Sequence, residues 1–507
     1  NATSGDEIFA YVPGALMVNS TDPVTGLSNP LANLADTTYG STKPHQFYND
    51  GELTVADAYV KLASDTSVQW HTILVGTTGR GPARAVYALD VTDPTSPTPL
   101  WERYANDSNG LDANSGYIGQ MVGKPVIAQT GDYGSTSGPA WSVLIGNGYN
   151  SPKGTAALLQ FDLATGKLYV HATDNTANNG LAAPLAWLNY PSSAISDVTY
   201  AGDLAGRVWS FTLIQKPTDG TAPTAYTPTP SSAGVKLFTA TDASGTAQPI
   251  TAGVWGASVP SAATLNPGSV WLFFGKGKYL AQDDVNSTDV QSWYGIMAQT
   301  SANSGPLTAY KRTDSTVKQR SIIAEQAASA SELALRAVTQ PDPTTDPYSA
   351  TDIAGKTAWV MDLESPSSSG TPNSVAQGER MVVPNQIQGS LLIGTTRIPK
   401  PIAEVLDPCN PAGSGWIMAV NPFSGTGPIS NFFDANGDGQ INGGDTITVN
   451  GQTYPAAGLG FTSLPNAPIF ISGDMLVSFD NGTTASKKTG GGGSGTSRVS
   501  WQELITP

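Results

Sequence analysis

Short runs of β-favouring residues, each closed by glycine, punctuate this chain. They fall at residues 72–76 (TILVG), 142–146 (SVLIG), 198–202 (VTYAG), 271–275 (WLFFG) and 391–394 (LLIG). Each predicts a strand buried on both faces or nearly so, ended by a residue that takes φ > 0 without strain. In most cases a second strand follows after a loop and ends in a turn signal. These second strands are residues 87–93 (YALDVTD), 159–166 (LQFDLATG), 208–212 (VWSFT), 360–363 (VMDL) and 417–422 (IMAVNP). The repeated grammar is strand, glycine, loop, strand, turn led by Asp or Asn. It predicts four-stranded blades repeated around an axis, an all-β propeller. The glycine-ended strands are spaced 70, 56, 73 and 119 residues apart, whereas a plain blade takes roughly 40–50. Large insertions or further blades must fill the gaps. A β-sandwich array competes with this architecture but does not predict the repeated pair of strands.

Helical pattern is scarce. Residues 53–59 (LTVADAY) predict a helical turn or two. Residues 324–338 (AEQAASASELALRAV) predict a helix inserted between strands, on the propensity of Ala, Leu and Glu. Pro-rich stretches at 216–231 and 340–346 read as loops. A flexible Gly-rich segment spans 489–497, and residues 499–504 (VSWQEL) predict a last strand returning to the body. Residues 1–507 are read as one domain.

Composition narrows the function classes. Only 13% of the side chains are charged, the net charge is −15, and no Lys/Arg stripe accompanies it. Nucleic acid and anionic membrane surfaces reward cationic footprints, so neither is an expected partner. No run of about 18 apolar residues exists to span a bilayer. The 55 Gly and 37 Pro fall singly between apolar runs, as turn residues of many loops. One cysteine, Cys409, makes no intrachain disulfide and no thiolate cluster. An acidic surface poor in Lys and rich in Thr, Ser, Asn and Gly suits a secreted bacterial protein. The chain starts at Asn1 and reads as a fragment or mature form.

The sharpest motif is DANGDGQINGGD at residues 434–445, which fits the calcium-loop pattern D-x-[DN]-x-[DN]-G. A hard cation of this kind needs about six to eight oxygens at roughly 2.3–2.6 Å. Alternating Asp434, Asn436 and Asp438 point inward as the chain curls. Gly439 permits the sharp turn, and the Gln440 carbonyl then faces the ion. Ile441 resembles the apolar residue that pins such loops to a core. The twelfth position, usually a bidentate Glu, is Asp445, one methylene shorter. Asp445 binds through one oxygen, or else Asn442 or water completes the shell. A metal-free hairpin turn is the alternative, but three Asp within the loop would then repel one another unrelieved. Magnesium resists such dehydrated cages. The flanks are strand-like, so the loop belongs on a β scaffold. Weaker acidic clusters at 107–114 and 283–286 read as solvated turns rather than as sites for a second ion.

Catalytic constellations are poor. His45, His71 and His171 are the only imidazoles, without metal-ligand spacing, and His171 reads as a surface residue after a strand. No G-x-S-x-G elbow or H-E-x-x-H occurs. Cys409 sits in a turn as a structural or incidental thiol. The segments GRG at 79–81 and GKGK at 275–278 read as hairpins, since no helix follows to make a phosphate loop. No catalytic residue is expected.

A set of short segments carries a family likeness in order along the chain. They are residues 5–13 (GDEIFAYVP), 74–94, 202–211 (GDLAGRVWSF), 274–280 (FGKGKYL), 378–380 (GER) and 407–416 (DPCNPAGSGW). Together they resemble the C-terminal domain of the PilC/PilY family of type IV pilus tip-associated proteins. The resemblance implies a modified, seven-bladed β-propeller with a calcium loop linked to pilus extension and retraction, and a role in adhesion. Implied partners are pilins or minor pilins and a host or abiotic surface receptor. The implied place is the pilus tip or outer surface of a Gram-negative bacterium, reached through the periplasm. The implied Ca2+ ligands are Asp434, Asn436, Asp438, the Gln440 carbonyl and the ninth position. That position is commonly Asp in the family and is Asn442 here, with Asp445 as the compensating carboxylate. No Arg-Gly-Asp tripeptide occurs, so integrin binding by that tripeptide is not supported. A rival likeness is to calcium-dependent quinoprotein dehydrogenases, whose blades end in turns like residues 162–166 (DLATG). Those proteins carry a tryptophan-docking motif in nearly every blade, and only one such turn is clear here. Their disulfide of adjacent cysteines cannot be made from Cys409 alone.

Overall fold

Strands make up nearly all the regular structure of this chain in a computed structural model. The structure describes every residue except 1–4, 18–30, 44, 107–113, 133–138, 190–193, 215–232, 262, 264, 302–303, 329–332, 342–352, 368–369, 373, 401–412, 450 and 491–507. Helical structure among the described residues is confined to short 3-10 turns such as Gln282–Asn286. Residues 1–278, 296–317 and 356–358 form one unit, and 279–295, 318–355 and 359–507 form a second. Cys409, the Pro-rich stretch at 216–231, residues 491–497 of the Gly-rich segment and the strand expected at 499–504 lie outside the described residues.

The first unit opens with two antiparallel sheets whose strands follow sequence order. One holds β1 (Leu53–Val60), β2 (Gln69–Thr77), β3 (Ala85–Asp90) and β4 (Thr98–Tyr104). The other holds β5 (Val126–Asp132), β6 (Pro139–Gly146), β7 (Ala157–Asp162) and β8 (Leu168–Ala172). The next four strands, β9 (Leu185–Trp187), β10 (Val198–Gly202), β11 (Arg207–Thr212) and β12 (Val235–Thr239), form a third antiparallel set. Further strands are β13 (Trp255–Ser258), β14 (Val270–Gly275), β15 (Ser292–Gln299), β16 (Tyr310–Lys311) and β17 (Val317–Arg320). Of these, β16 joins β12 in parallel. Residues 53–59 are therefore strand β1, not a helical turn. Their exposure alternates residue by residue, and each pairs with β2, Val55 opposite Leu74. A half-buried period-two pattern with a ready partner outweighs weak helix propensity.

The strand-closing glycines serve a different purpose from the one expected. None of Gly76, Gly146, Gly202, Gly275 or Gly394 has a positive φ. Gly76, Gly146, Gly202 and Gly394 are places of close approach. A Cβ on Gly76 would stand 2.5 Å from the Tyr87 ring, on Gly146 2.0 Å from the Ala182 carbonyl oxygen, and on Gly202 2.5 Å from Ile250.

Glycine does take φ > 0 in the turns that end blades. In the first unit, Oδ1 of Asp162 accepts the N–H and hydroxyl of Thr165 at 2.9 and 2.6 Å, and Gly166 has φ +67°. The indole of Trp101 lies against Gly166 and donates from Nε1 to the Leu163 carbonyl at 2.8 Å. In the second unit the same device recurs around Asn421. There Gly425 has φ +69°, and Nε1 of Trp359 donates to the Pro422 carbonyl at 2.7 Å. Each tryptophan precedes its acceptor by nearly the same interval, 62 and 63 residues. Two docked tryptophans are thus present where the sequence pattern exposed one turn.

The second unit contains β18 (Ile322–Gln326), β19 (Ala334–Val338), β20 (Ala358–Asp362), β21 (Glu364–Ser365), β22 (Val375–Ala376), β23 (Gln386–Gln388), β24 (Leu391–Pro399) and β25 (Gly413–Val420). After these come β26 (Thr446–Val449), β27 (Gln452–Pro455), β28 (Gly458–Phe461), β29 (Ile469–Ile471), β30 (Asp474–Ser478) and β31 (Thr484–Lys488). Its largest sheet has the order β18-β19-β28-β25-β24-β23, so β28 enters between two earlier strands. The helix expected over 324–338 is instead the antiparallel pair β18 and β19, with Gln326 opposite Leu335. Tertiary pairing overrides propensity here. Strand β19 is interior to the sheet, and Leu335, Ala337 and Ala324 pack with Ile393, Ile417 and Leu459 in the core of the unit.

The same strand carries Arg336, which is fully buried. Its Nε and Nη2 donate to Oε1 of Glu325 at 2.8 and 2.6 Å. Nη1 and Nη2 donate to the two oxygens of Glu379 at 2.7 and 2.9 Å. Burial pulls the guanidinium pKa down, but Glu379 and Glu325 outweigh it and hold it above its ordinary value. The guanidinium also lies 4.0 Å from the ring centre of Trp416.

Candidate functional site

The acidic loop 434–445 lies on the connection from β25 to β28, just ahead of the β26–β27 hairpin. Phe432, Phe433 and Ala435 enter the core on one side of it and Ile447 on the other. Ile447 is the buried anchor, while Ile441 is only half-buried. The Asp434 N–H donates to the Lys488 carbonyl at 3.1 Å, tying the loop to the end of β31.

The loop is closed by its own oxygens. Asp434, nearly buried, accepts Gly437 N–H on Oδ1 at 2.8 Å and Gly439 N–H on Oδ2 at 2.9 Å. Gly437 and Gly439 both take positive φ, +76° and +81°, so the expected sharp turn at Gly439 is present. Asn436 Oδ1 accepts Asp438 N–H at 2.9 Å, and Asp438 Oδ1 accepts Gln440 N–H at 2.8 Å. The Asn442 amide donates to Oδ2 of Asp438 at 2.9 Å. That amide, with the Gln440 N–H, holds the Asp438 pKa below its usual value. Asp445 is fully buried and bridges the loop ends, accepting Ala435 N–H at 2.8 Å and Asn442 N–H at 2.6 Å.

The donor chemistry suits a hard cation. Asp434, Asn436, Asp438, Asn442 and Asp445 offer oxygen alone, as does any backbone carbonyl. Two of the three carboxylates are buried without a cationic partner among the described residues. Both oxygens of Asp434, Oδ1 of Asp438 and Oδ2 of Asp445 accept one bond each and keep a lone pair, while Oδ2 of Asp438 and Oδ1 of Asp445 accept two each. Against this, no three His, Cys, Asp or Glu side chains gather to hold a metal among the described residues. Asn and backbone carbonyl oxygens, which supply much of a calcium shell, stand beside the carboxylates in this loop.

Other residues marked by sequence have structural partners. Asp284 accepts the N–H groups of Leu280 and Ala281, both at 2.9 Å, and caps its own 3-10 turn. The cluster at 107–114 lies outside the described residues except for Asn114. His171 is a fully buried strand residue, not a surface one, and its Nε2 meets Gln160 Oε1 at 2.9 Å. His71 is buried between two carboxylates, 3.0 Å from Asp65 and 2.9 Å from Asp90. Alternation along β2 placed His71 on the inner face with Ile73 and Val75 and could have revealed it. Lys276 is fully buried, and its Nζ donates to the Gln248 carbonyl. Burial pushes its pKa well below the ordinary value, with Asp203 opposing. Asp203 accepts Asn179 Nδ2 and Trp209 Nε1, both at 2.9 Å. Of residues 378–380, Gly378 has φ +69°, Glu379 pairs with Arg336, and Nη2 of Arg380 donates to the Ser287 carbonyl at 2.6 Å.

Antiparallel sheets in sequence order, with tryptophans docked on blade-end turns, define a β-propeller protein. A family model for the PilY1 β-propeller domain matches residues 1–333. The chain belongs to that family. A Xylella fastidiosa protein named as a type IV pilus biogenesis factor PilY1 homolog is 38% identical over 508 residues, covering 100% of this chain and 34% of that protein. The type IV pilus biogenesis factor PilY1 of Pseudomonas aeruginosa is 28% identical over 476 residues, covering 90% of this chain and 36% of its own length. The chain therefore spans about a third of these relatives. The crystal structure of the Pseudomonas aeruginosa PilY1 C-terminal domain has the same fold, with a TM-score of 0.69, 23% identity, and coverage of 97% and 90%. The acidic loop lies beyond the segment matched by the family model.

Proposed function

We propose that this chain is the calcium-binding propeller of a type IV pilus biogenesis factor. It acts by binding proteins rather than by turning over a substrate. The reading rests on family membership and on relatives named as pilus biogenesis factors. Its place is the pilus tip or outer surface of a Gram-negative cell. Its partners are pilins or minor pilins and, through adhesion, a host or abiotic surface.

Calcium would be held by Asp434, Asn436, Asp438 and the Gln440 carbonyl, with Asn442 or Asp445 completing the shell. The ion supplies positive charge among three carboxylates and draws the loop together. A ligand shifts a conformational equilibrium only by its differential affinity for the two states. A partner that reads only the compact loop is therefore calcium-dependent, which links the ion to pilus extension and retraction.

Calorimetry on chelated protein should show one main calcium site, lost in Asp434→Ala with Asp438→Ala. The propeller should stay folded without the ion, with a lower thermal midpoint. In cells, Asp434→Ala should change twitching or surface piliation while protein level holds. Wild-type pilus number, retraction and attachment in that variant would reduce the ion to a staple. An absorbance band from a bound quinone would overturn the non-catalytic reading in favour of the dehydrogenase one.

A further inference from the structure

The second unit contains a cavity of about 560 Å³, built apart from the acidic loop and not used by the reading above. Its size falls within the range of small-molecule sites. Trp416, Phe461 and Phe479 contribute its apolar lining, and Glu325 and Lys487 its two charges. We infer that this cavity is a binding site for an uncharged saccharide, with Trp416 as platform and Glu325, Lys487 and Asn481 as hydrogen-bonding groups.

The platform is rigid before any ligand arrives. The Arg336 guanidinium stacks on Trp416 at 4.0 Å and is itself fixed by Glu325 and Glu379. Gly460 lies against the same ring, and a Cβ there would come within 2.9 Å of it. Phe461 and Phe479 pack together with ring centres 5.2 Å apart. Preorganised aromatic walls lower the ordering cost of binding.

Part of the polar capacity of these groups is uncommitted. Oε1 of Glu325 accepts three bonds, from Nε and Nη2 of Arg336 and, at 3.0 Å, from the Ser365 hydroxyl. Its Oε2 has no protein donor among the described residues. Lys487 is half-buried on β31 and pairs with no carboxylate among the described residues. The Asn481 carbonyl oxygen serves Thr483, and its amide N–H groups are left over. One strong acceptor and several donors around an aromatic face match neighbouring hydroxyls, each of which both gives and accepts.

Charge decides against other ligands. Trp416 is 9% exposed, and a cation on the edge it presents to the cavity would share the ring with Arg336, so the usual attraction of cation to ring is already used. An anion near Lys487 would meet Glu325 in the same cavity. The two charges cancel, which favours a neutral polyol. A purely apolar ligand would leave Lys487 desolvated and unpaired and Oε2 of Glu325 without a donor.

The test uses the full chain and a panel of uncharged methyl glycosides and disaccharides, read by saturation-transfer NMR and calorimetry. At least one should bind with millimolar or better affinity. Lys487→Ala and Asn481→Ala, both near the surface, should each weaken it by about tenfold, as for one lost hydrogen bond to a charged or rigid partner. Lys488→Ala, next along the strand and paired with Asp474 instead, should leave it unchanged. Circular dichroism checks that each variant is folded. Absence of binding across the panel, equal loss in Lys488→Ala, or tighter binding of N-acetyl-lysine methylamide or a simple carboxylate would overturn the assignment. The result is independent of calcium and of pilus function, so either reading can fail alone.

Discussion

Replacing Arg336 by Met should be among the most damaging single changes in the second unit. The guanidinium has no solvent exposure, and all five of its N–H groups have acceptors: Glu325 twice, Glu379 twice, and the Met418 sulfur at 3.5 Å. Met fills similar volume but leaves Glu379, itself only 1% exposed, as a buried carboxylate without its cation. Breaking a buried pair by deleting one partner costs about 3–5 kcal/mol. At roughly 2–4 °C per kcal/mol for a unit of this size, the midpoint should fall by about 10 °C. Glu325→Gln is the internal comparison. Glu325 is 21% exposed, and its loss leaves the two-point pairing of Arg336 with Glu379 intact. It should cost only about 1 kcal/mol. The variant with Arg336→Met, Glu379→Met and Glu325→Gln together should recover much of the loss, because an apolar replacement of a whole buried triad is often neutral. Thermal and urea unfolding followed by tryptophan fluorescence measure all three. If Arg336→Met costs no more than Glu325→Gln, the buried triad is not what holds β19 in place.

Two further outcomes follow from particular residues. Gly166→Ala and Gly425→Ala each put a Cβ 2.5 Å from a docked indole at a positive φ, and should each cost about 2 kcal/mol or more, read as a shifted urea midpoint; wild-type stability in either would refute the docking account. Burial alone would raise the Asp65 pKa, but the Leu62 N–H and the His71 ring outweigh it and hold it lowered. Its contribution is therefore complete above the ordinary Asp value of about 3.9 and fades as pH falls through the lower folded value. Asp65→Asn should flatten the acid side of the stability profile below about pH 4, and an unchanged slope there would count against the reading.

The strand grammar was legible because burial on both faces leaves near-continuous apolar runs, as at 142–146 and 271–275. The reason for the closing glycines was not legible. Close approach to Tyr87, Ala182 or Ile250 is a tertiary fact with no local signature. Residues 324–338 misled for the related reason that Ala, Leu and Glu favour helix in isolation. Arg336 near the end of that stretch is recognisable as a strand residue only once its carboxylate partners, Glu325 across the β18–β19 pair and Glu379 further along the chain, are in place. The acidic loop was readable as a motif because its oxygen-bearing side chains are local in sequence. The second docked tryptophan was readable in principle, from its near-equal spacing to the turn at Asn421. The cavity was not, since β18, β25, β28 and β31 meet there from widely separated parts of the chain.

The position of β28 bears on the order in which the second unit assembles. This strand pairs with β19 on one side and β25 on the other, yet it follows both in the chain. A nascent chain that has emerged only to residue 450 has two strand edges waiting for one shared neighbour. Open edges of that kind are templates for intermolecular pairing. The acidic loop and the β26–β27 hairpin occupy the connection that must fold back before the gap closes. Closing a loop costs more entropy the longer its free length. A loop that gathers its own ends through Asp445 shortens that length. The same twelve residues that look like a binding motif therefore also set how soon the largest sheet of the unit is completed, and truncation before residue 458 should yield aggregation rather than a smaller folded unit.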